Sequence, residues 1–213
     1  MAVFTGGFKA AWGLALGAAL LAGCADEAKK GSGLDPLPDG GMTPGRDSGT
    51  GGAGCVSELE AAAVTLGEAG AAPRFTAAIV ERTLRMRDTT CPAVHAALQA
   101  AEKGNPFMPL RGLIGSDILL NRPDWRTIDN PFAAGGDPIV LLPAIQPDVA
   151  LFHAARADRA GNVWIGRRRE LATMAHAARG ALVTVEEIVD GSLLDDEATA
   201  AGVLPSLYVQ GVA

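Results

Sequence analysis

The sequence predicts an α/β fold, in which an open, mainly parallel sheet is flanked by helices and preceded by a disordered N-terminal extension. Three observations support this prediction. From residue 55 onward, short apolar runs of strand length alternate with longer helical patterns. Small residues dominate the composition, and aromatic residues make up only 5% of it. Residues 31–54 include twelve glycines and prolines and almost no apolar side chains, so this stretch cannot bury enough surface to fold.

The first 24 residues have the pattern of an export signal. Lys9 precedes an apolar run over residues 10–22, which is too short to span a bilayer and is followed by Gly23 and Cys24. This ending resembles the lipobox of bacterial lipoproteins, so Cys24 is a lipidation candidate. A buried or amphipathic helix and a wrongly assigned start codon are the alternatives.

Three regions follow from these patterns. We predict a signal-like segment over 1–24, a Gly/Pro-rich flexible linker over 25–54 and a globular domain over 55–213.

The first half of the domain is delimited by capping and helix-breaking residues. Residues 56–66 fit either a strand or a helix, Pro73 begins a helix, and residues 84–87 form a short strand. Thr90 is the predicted N-cap of a second helix, which Gly104 ends. The inward stripe of that helix is Val94, Leu98 and Ala101.

The second half alternates in the same way. Strands are predicted at 125–128, 139–142, 149–153, 163–165, 181–185 and 207–212, and helices at 168–178 and 193–201. The run from Ile139 to Leu142 is continuously apolar, as in strands buried on both faces of a parallel sheet. Asp158, Gly161 and Asn162 are predicted turn residues, and Gly180 is the predicted C-cap of the helix before it.

Residues 105–117 are the stretch around which the domain is organised. Two prolines force an extended backbone, and Arg111 follows them among glycines. Ser116 and Asp117 could cap a helix beginning at Ile118. A cation, flexible glycines and a helix N-terminus predict a cradle for an anionic or carbonyl-bearing group. The alternative is a buried connecting loop in which Arg111 pairs with a structural carboxylate.

Composition and residue spacing argue against several functions. A net charge of -6 argues against a general nucleic-acid binder, and the basic run 167–169 is interpreted as a solvated helix start. The three cysteines form neither a disulfide framework nor a zinc motif, and the three histidines are not at metal-ligand spacing. We therefore predict no metal site.

Four motifs make the domain recognisable: residues 106–117, residues 129–132 with 140–148, residues 153–163 and residues 184–189. With them the domain resembles the α (A) subunit of family I CoA-transferases, closest to the glutaconate CoA-transferase A branch. The resemblance implies an α/β fold, a cytoplasmic location, CoA thioesters and carboxylic acids as substrates, no permanently bound cofactor, and a partner β subunit.

In that family the nucleophile is a glutamate of the β subunit, which forms an acyl anhydride and then a glutamyl-CoA thioester. This chain has no Glu-Xaa-Gly motif in the expected setting, so no catalytic residue is assigned to it. Glu186 and Glu187 are the alternative nucleophiles, but they match a motif that α subunits share without using it for catalysis. Glu68, in a predicted strand-to-helix turn over residues 66–70, is a further candidate for the wall of the site and not for the nucleophile, and a surface carboxylate is its competing role.

The resemblance places five residues near the acyl or CoA groups: Phe107, Arg111, Gly112, Gly115 and Ser116. The family's first strand, glycine-rich turn and helix have no counterpart here, nor does the part after the last strand, so we expect a domain that is incomplete at both ends.

Three functions are therefore open. The chain is a CoA-transferase α subunit that needs a β subunit, a membrane-tethered lipoprotein with a non-catalytic transferase-like binding module, or an inactive fusion fragment. It meets a membrane only if Cys24 is lipidated.

Overall fold

The computed structural model describes residues 56–66, 68 and 70–213. The predicted signal-like segment with Cys24, and the linker over 25–54, lie outside the described residues. The described chain forms two compact units. The larger contains residues 58–64 and 86–213, and the smaller contains 56–57 and the described part of 65–85.

The smaller unit is built on one helix, α1 (Pro73–Val80), which begins with a proline in its first turn, as predicted. The helix ends where Glu81 donates its backbone N–H to the carbonyl of Ala77. The Thr83 hydroxyl bonds the carbonyl of Ala78 at 3.2 Å and closes the following turn. Glu68 is exposed in this unit.

The first strands are short. Strand β1 (Glu58–Ala61) pairs with β2 (Arg85–Asp88) in a two-stranded sheet. Helix α2 (Cys91–Glu102) follows, and the Thr90 hydroxyl accepts the Ala93 N–H at 3.3 Å, which confirms the predicted N-cap. Gly104 ends the helix with a φ of 70°.

A three-stranded antiparallel sheet comes next. Its strands are β3 (Phe107–Leu110), β4 (Arg126–Asp129) and β5 (Pro138–Pro143), in the order β3-β5-β4. A 3₁₀ helix, Asp117–Asn121, lies between β3 and β4. Helix α2 covers one face of this sheet, and the core between them contains Ala93, Ala97, Leu113, Val140 and Leu142.

The larger sheet has five strands in the order β10-β8-β6-β7-β9. They are β6 (Ala150–Asp158), β7 (Val163–Trp164), β8 (Ala181–Val189), β9 (Val203–Leu204) and β10 (Val209–Val212). Helix α3 (Arg169–Ala177) packs on one face through Leu171 and Ala175, and α4 (Glu197–Ala200) is a single turn. Helices α2 and α3 meet at Val94, Leu98 and Ala177, which joins the two sheets in one unit.

The predicted α/β class is confirmed, but the prediction of a mainly parallel sheet is wrong for the three-stranded sheet and for β7 and β9, whose pairings are antiparallel. In the three-stranded and five-stranded sheets, parallel pairing is confined to β6, β8 and β10. Strands β6 and β7 are joined by only four residues, and a parallel crossover needs a dozen or more, so this pair is antiparallel. Strand β5 lies between two antiparallel neighbours and alternates between a buried and a half-exposed face, rather than being buried on both.

Three smaller predictions are also corrected. Gly180 is not the C-cap of α3, since Ala178 ends that helix in an extended conformation. Gly180 instead lies so close to Gln210 that a Cβ atom would come within 2.3 Å of that side chain. Strand β8 runs four residues further than predicted, and the helix expected over 193–201 is reduced to α4.

In the part of the chain that the structure describes, no helix is long and apolar enough to cross a membrane.

Candidate functional site

Arg111 lies directly after β3 and is held by the carboxylate of Asp137, the residue before β5. Its Nε donates to Asp137 Oδ1 at 3.0 Å, and its Nη2 donates to Oδ2 of the same carboxylate. The antiparallel pairing of β3 and β5 brings the two residues together, because Leu110 lies opposite Val140. Arg111 is therefore positioned as an exposed guanidinium with a fixed orientation.

Asn130 holds the other side of Asp137. Its side-chain amide donates to Asp137 Oδ2 at 2.7 Å, and its backbone N–H bonds the Asp137 carbonyl at 2.9 Å. The hydrogen bonds from Asn130 and Arg111 lower the pKa of the Asp137 carboxyl. Asn130 also accepts the Phe132 N–H at 3.0 Å, which forms a tight turn and leaves the Phe132 ring 97% exposed. One short motif thus fixes a carboxylate and presents an aromatic ring.

The loop after Arg111 has a different conformation from the one predicted. Gly115 has a φ of 80°, which strongly favours glycine, and space is open around both Gly112 and Gly115. The Ser116 hydroxyl does not cap the next helix; it donates backwards to the Leu113 carbonyl at 2.8 Å. Asp117 begins a 3₁₀ helix rather than an α-helix, and this helix ends at Arg122, the residue before Pro123, whose ring disfavours the helical conformation there. The helix N-terminus at this position is therefore that of a short 3₁₀ helix and not of an α-helix, and Ser116 makes no side-chain cap.

The face of the three-stranded sheet opposite α2 is exposed and largely apolar. We call it the outer sheet face and define it by the residues that alternation and cross-strand pairing place there: Phe107, Pro109, Arg126, Ile128, Ile139, Leu141 and Pro143. Phe107 is 46% exposed and Ile128 is 40% exposed. Phe107 begins β3, and Arg111 follows its other end, about 13 Å away. The structure thus groups Arg111, Gly112, Gly115 and Ser116 in one loop, with Phe107 separate from them.

The sequence interpretation missed Arg122, which anchors the end of this loop. The guanidinium is buried, bonds Glu60 at 2.7 Å and Asp124 at 2.8 and 2.9 Å, and lies 4.0 Å from the centre of the Trp125 ring. It also bonds the Asp88 carbonyl at 2.9 Å. Burial opposes the charged form, but the hydrogen bonds from Arg122 to these carboxylates outweigh it and raise its pKa. Nothing local in the sequence identifies Glu60, because it precedes Arg122 by 62 residues.

The alternative nucleophiles lie on open strand surface. Glu186 and Glu187 are exposed within β8, not beyond a strand end as predicted. His153 on β6 places its Nδ1 3.0 Å from the Thr184 hydroxyl and its Nε2 3.6 Å from Glu186 Oε1. This arrangement partners Glu186 with a histidine but encloses neither side chain.

A family model described as coenzyme A transferase matches residues 53–213. The chain belongs to the coenzyme A transferase family. Its four motifs are therefore features of a CoA-transferase fold, and the outer sheet face with Arg111 is the candidate site in that fold.

Two curated relatives are A subunits of CoA-transferases by name. The chain is 42% identical over 95 residues to the A subunit of 3-oxoadipate CoA-transferase from Pseudomonas knackmussii, covering 43% of this chain and 32% of that one. It is 31% identical over 146 residues to the A subunit of glutaconate CoA-transferase from Acidaminococcus fermentans, covering 61% and 45%. The chain thus spans less than half the length of either relative.

A solved structure shows the same fold. The crystal structure of glutaconate coenzyme A-transferase from Acidaminococcus fermentans superposes with a TM-score of 0.65 at 27% identity, covering 74% of this chain and 54% of that one.

Proposed function

We propose that this chain is the α subunit of a CoA-transferase, which moves CoA between an acyl-CoA donor and a carboxylic acid. A β subunit carries the catalytic glutamate in this proposal. The family membership and the names of the two CoA-transferase relatives support it. The reaction belongs in the cytoplasm, where CoA thioesters are present, so that location is part of the proposal.

The observation that carries the proposal is the pairing of Arg111 with Asp137 at the edge of an exposed apolar face. Both oxygens of Asp137 already accept hydrogen bonds, so this carboxylate is a poor nucleophile. Arg111 retains N–H donors on Nη1 that can bind a thioester oxygen or an acceptor carboxylate. The local chemistry therefore supports binding and charge stabilisation, with the nucleophile supplied by another chain.

The outer sheet face supports the need for a partner. Exposed apolar patches of this kind mark interaction surfaces or binding grooves. A partner that covered Phe107 and Ile128 would also exclude water from the vicinity of Arg111. Its hydrogen bonds to a developing oxyanion would then be stronger than in bulk water.

Reconstitution with a β subunit tests the proposal. The full chain is mixed with a CoA-transferase β subunit, and CoA transfer from acetyl-CoA to a dicarboxylic acid is measured, with each protein alone as control. We expect transfer only from the mixture, with a thioester on the partner's glutamate that hydroxylamine releases. Turnover by this chain alone would contradict the proposal, and so would free CoA release without transfer to the acid.

Arg111→Ala tests the role of the guanidinium. We expect kcat to fall by about 10- to 100-fold, because one positioned donor to the oxyanion is lost. The melting temperature should change little, since exposed ion pairs contribute little to stability.

The matched control is Arg179→Ala, which removes another exposed arginine that pairs with a carboxylate, that of Asp148. This variant should retain full activity. If the loss of activity in Arg111→Ala is no larger than the fraction of the variant that is unfolded, Arg111 has a packing role instead.

A further inference from the structure

Strand β4 is an open edge of the three-stranded sheet. The strand order is β3-β5-β4, so β4 has a neighbouring strand on one side only in the described part of the chain. All four of its residues, Arg126–Asp129, are exposed. The edge of a sheet presents backbone N–H and C=O groups that can pair with another strand. The β4 edge is therefore a candidate surface for association with another chain.

The pairing with β5 determines which backbone groups of β4 point outwards. The Asn130 N–H donates to the Asp137 carbonyl at 2.9 Å, and hydrogen-bonded pairs alternate with non-bonded ones in an antiparallel ladder. The adjacent pair, Asp129 with Pro138, is therefore not hydrogen-bonded, which agrees with the missing N–H of proline. Asp129 and, two residues earlier, Thr127 direct their N–H and C=O groups away from β5. No hydrogen bond between described residues uses these groups.

The opposite edge of the sheet, β3, is closed by a proline. The Ala144 N–H donates to the Pro106 carbonyl at 3.0 Å, so the same alternation directs the backbone groups of Phe107 and Pro109 outwards. Pro109 has no N–H, and proline on an edge strand prevents further pairing. The three-stranded sheet thus has one open edge. Pairing between two such edges ends at two copies and does not grow into a filament.

The open edge is self-complementary in one antiparallel register. A two-fold axis perpendicular to the sheet requires that the outward-facing residues of the two copies pair with each other. When Ile128 lies opposite Ile128 of the second copy, Thr127 of each copy lies opposite Asp129 of the other. Each of these two pairs exchanges both of its N–H···O bonds, and each Thr127 hydroxyl can donate to a carboxylate. An apolar pair lies at the centre, and no like charges face each other.

The two neighbouring registers are less favourable. Centring the pair on Thr127 would place Asp129 opposite Trp125, whose N–H already donates to the Arg122 carbonyl at 3.0 Å. Centring it on Asp129 would place two carboxylates opposite each other, which is destabilising. That register would also place Thr127 opposite Pro131, which has no N–H. The residues of the edge therefore favour a single symmetric pairing.

We propose that two copies of this chain associate through β4, so that their three-stranded sheets become one continuous sheet. The pairing uses backbone groups at the edge and leaves the outer sheet face available to a different partner. A strand of four residues buries little surface, so the dimer is weak and depends on protein concentration.

Sedimentation equilibrium of the full chain, at about 1–500 µM, tests the inference. We expect the average mass to rise from that of the monomer to that of the dimer. Thr127→Pro removes an outward N–H from each copy and none that bonds β5, so it should raise the dimer Kd by about tenfold or more. The matched control, Thr127→Val, keeps the N–H and should keep the Kd within about threefold. Circular dichroism establishes that both variants fold.

Cross-linking tests the register and does not depend on the proline variant. In a background with Cys24→Ser, Cys55→Ser and Cys91→Ser, Ile128→Cys should form a disulfide between two copies under mild oxidation. The Cβ atoms of a directly opposed antiparallel pair lie about 4.5–5.5 Å apart, so a small adjustment allows the bond. The control is Phe107→Cys on the closed edge, because Phe107 is 46% exposed and Ile128 is 40% exposed. This control should not cross-link.

Three results would overturn the inference. They are a chain that stays monomeric throughout the concentration range, a dimer Kd that a folded Thr127→Pro leaves unchanged, and equal cross-linking of Ile128→Cys and Phe107→Cys. If the chain alone is monomeric and Thr127→Pro weakens binding of a β subunit, the edge pairs with a strand of that subunit, and association of two copies is wrong. Self-association is measured without substrate or β subunit, so its failure and the failure of the proposed function are separate results.

Discussion

At the scale of single residues, Asp158 is a buried carboxylate that organises the end of the larger sheet. The side chain is 3% exposed and lies at the end of β6. Its oxygens accept the Asn162 N–H at 2.9 Å, the Asn162 amide at 2.8 Å and the Leu193 N–H at 3.0 Å. Asn162 in turn accepts the Ser206 N–H at 2.9 Å. Two residues thus link the β6–β7 turn to segments that are distant in sequence.

Asp158→Asn should destabilise the fold. The substitution replaces one acceptor oxygen with an NH₂ group that faces existing donors, so we expect a loss of about 2–3 kcal/mol in the free energy of unfolding, measured with urea at pH 7. The control is Asp190→Asn, an exposed carboxylate paired with Arg159, which should change stability by no more than about 0.5 kcal/mol. Equal effects of the two substitutions would contradict the assigned network.

The same carboxylate predicts a pH dependence. Burial opposes ionisation, but hydrogen bonds from the Asn162 side chain and from the N–H groups of Leu193, Asn162 and Ala160 outweigh it and lower the pKa of Asp158. The unfolded chain binds a proton at an ordinary pKa of about 3.9. The contribution of Asp158 is therefore complete above that pH and is lost as the pH falls through the lower folded pKa. The stability difference between Asp158→Asn and the parent should narrow below about pH 4.

Some residue roles follow from local sequence and others do not. Asp158, Gly161 and Asn162 are predictable as turn residues, and Gly161 indeed has a φ of 87°. The partner of Arg111 is not predictable, since Asp137 is 26 residues away and is brought close only by the β3–β5 pairing. The structure shows the carboxylate pairing of the second sequence-based interpretation of Arg111, but Arg111 is exposed rather than buried.

At the scale of elements, β5 illustrates why an apolar run in the sequence does not show which strands pair with it or which of its faces is buried. Val140 and Leu142 point into the core with α2, whereas Ile139 and Leu141 point to the outer sheet face. The run is continuous because both faces are apolar, although only one is covered within the described residues. The ends of helices are easier to predict than the pairing of strands. Pro73, Thr90 and Gly104 begin or end a helix through the conformation of a single turn, which involves only residues close in sequence.

Adjacent leucines of β5 test this alternation. Leu142→Ala should lower the free energy of unfolding by about 2–5 kcal/mol, because a side chain that is 1% exposed leaves a cavity. Leu141→Ala, one residue earlier and half-exposed, should cost about 1 kcal/mol or less. Urea unfolding of the two variants provides the comparison. Equal losses would mean that both faces of β5 are packed, as the sequence run alone suggests.

At the scale of the whole molecule, the α/β class and the family are readable from the sequence, and the sheet topology is not. The motifs carry the family resemblance, and the match over residues 53–213 confirms it. The division into a five-stranded and a three-stranded sheet depends on which strands pair, and short strands of similar composition carry no such information. The outer sheet face could not be predicted for the same reason.

The proposed partner should cover the outer sheet face, and a charge placed there tests this. Ile128→Glu and, separately, Arg126→Glu should weaken association with a β subunit that binds the parent chain, because a carboxylate in an apolar interface loses hydration without a partner. Size-exclusion chromatography of the mixture, at concentrations near the parent Kd, measures the effect, and an increase in Kd of tenfold or more is expected.

Leu207→Glu, at an exposed leucine outside this face, is the control and should associate normally. Because Ile128 is partly buried, its variant should lose about 1 kcal/mol of stability, whereas Arg126→Glu is exposed and should keep the parent value. Normal association of both variants, Ile128→Glu and Arg126→Glu, would place the partner on another surface. A dry apolar contact would not accommodate a new carboxylate at either position.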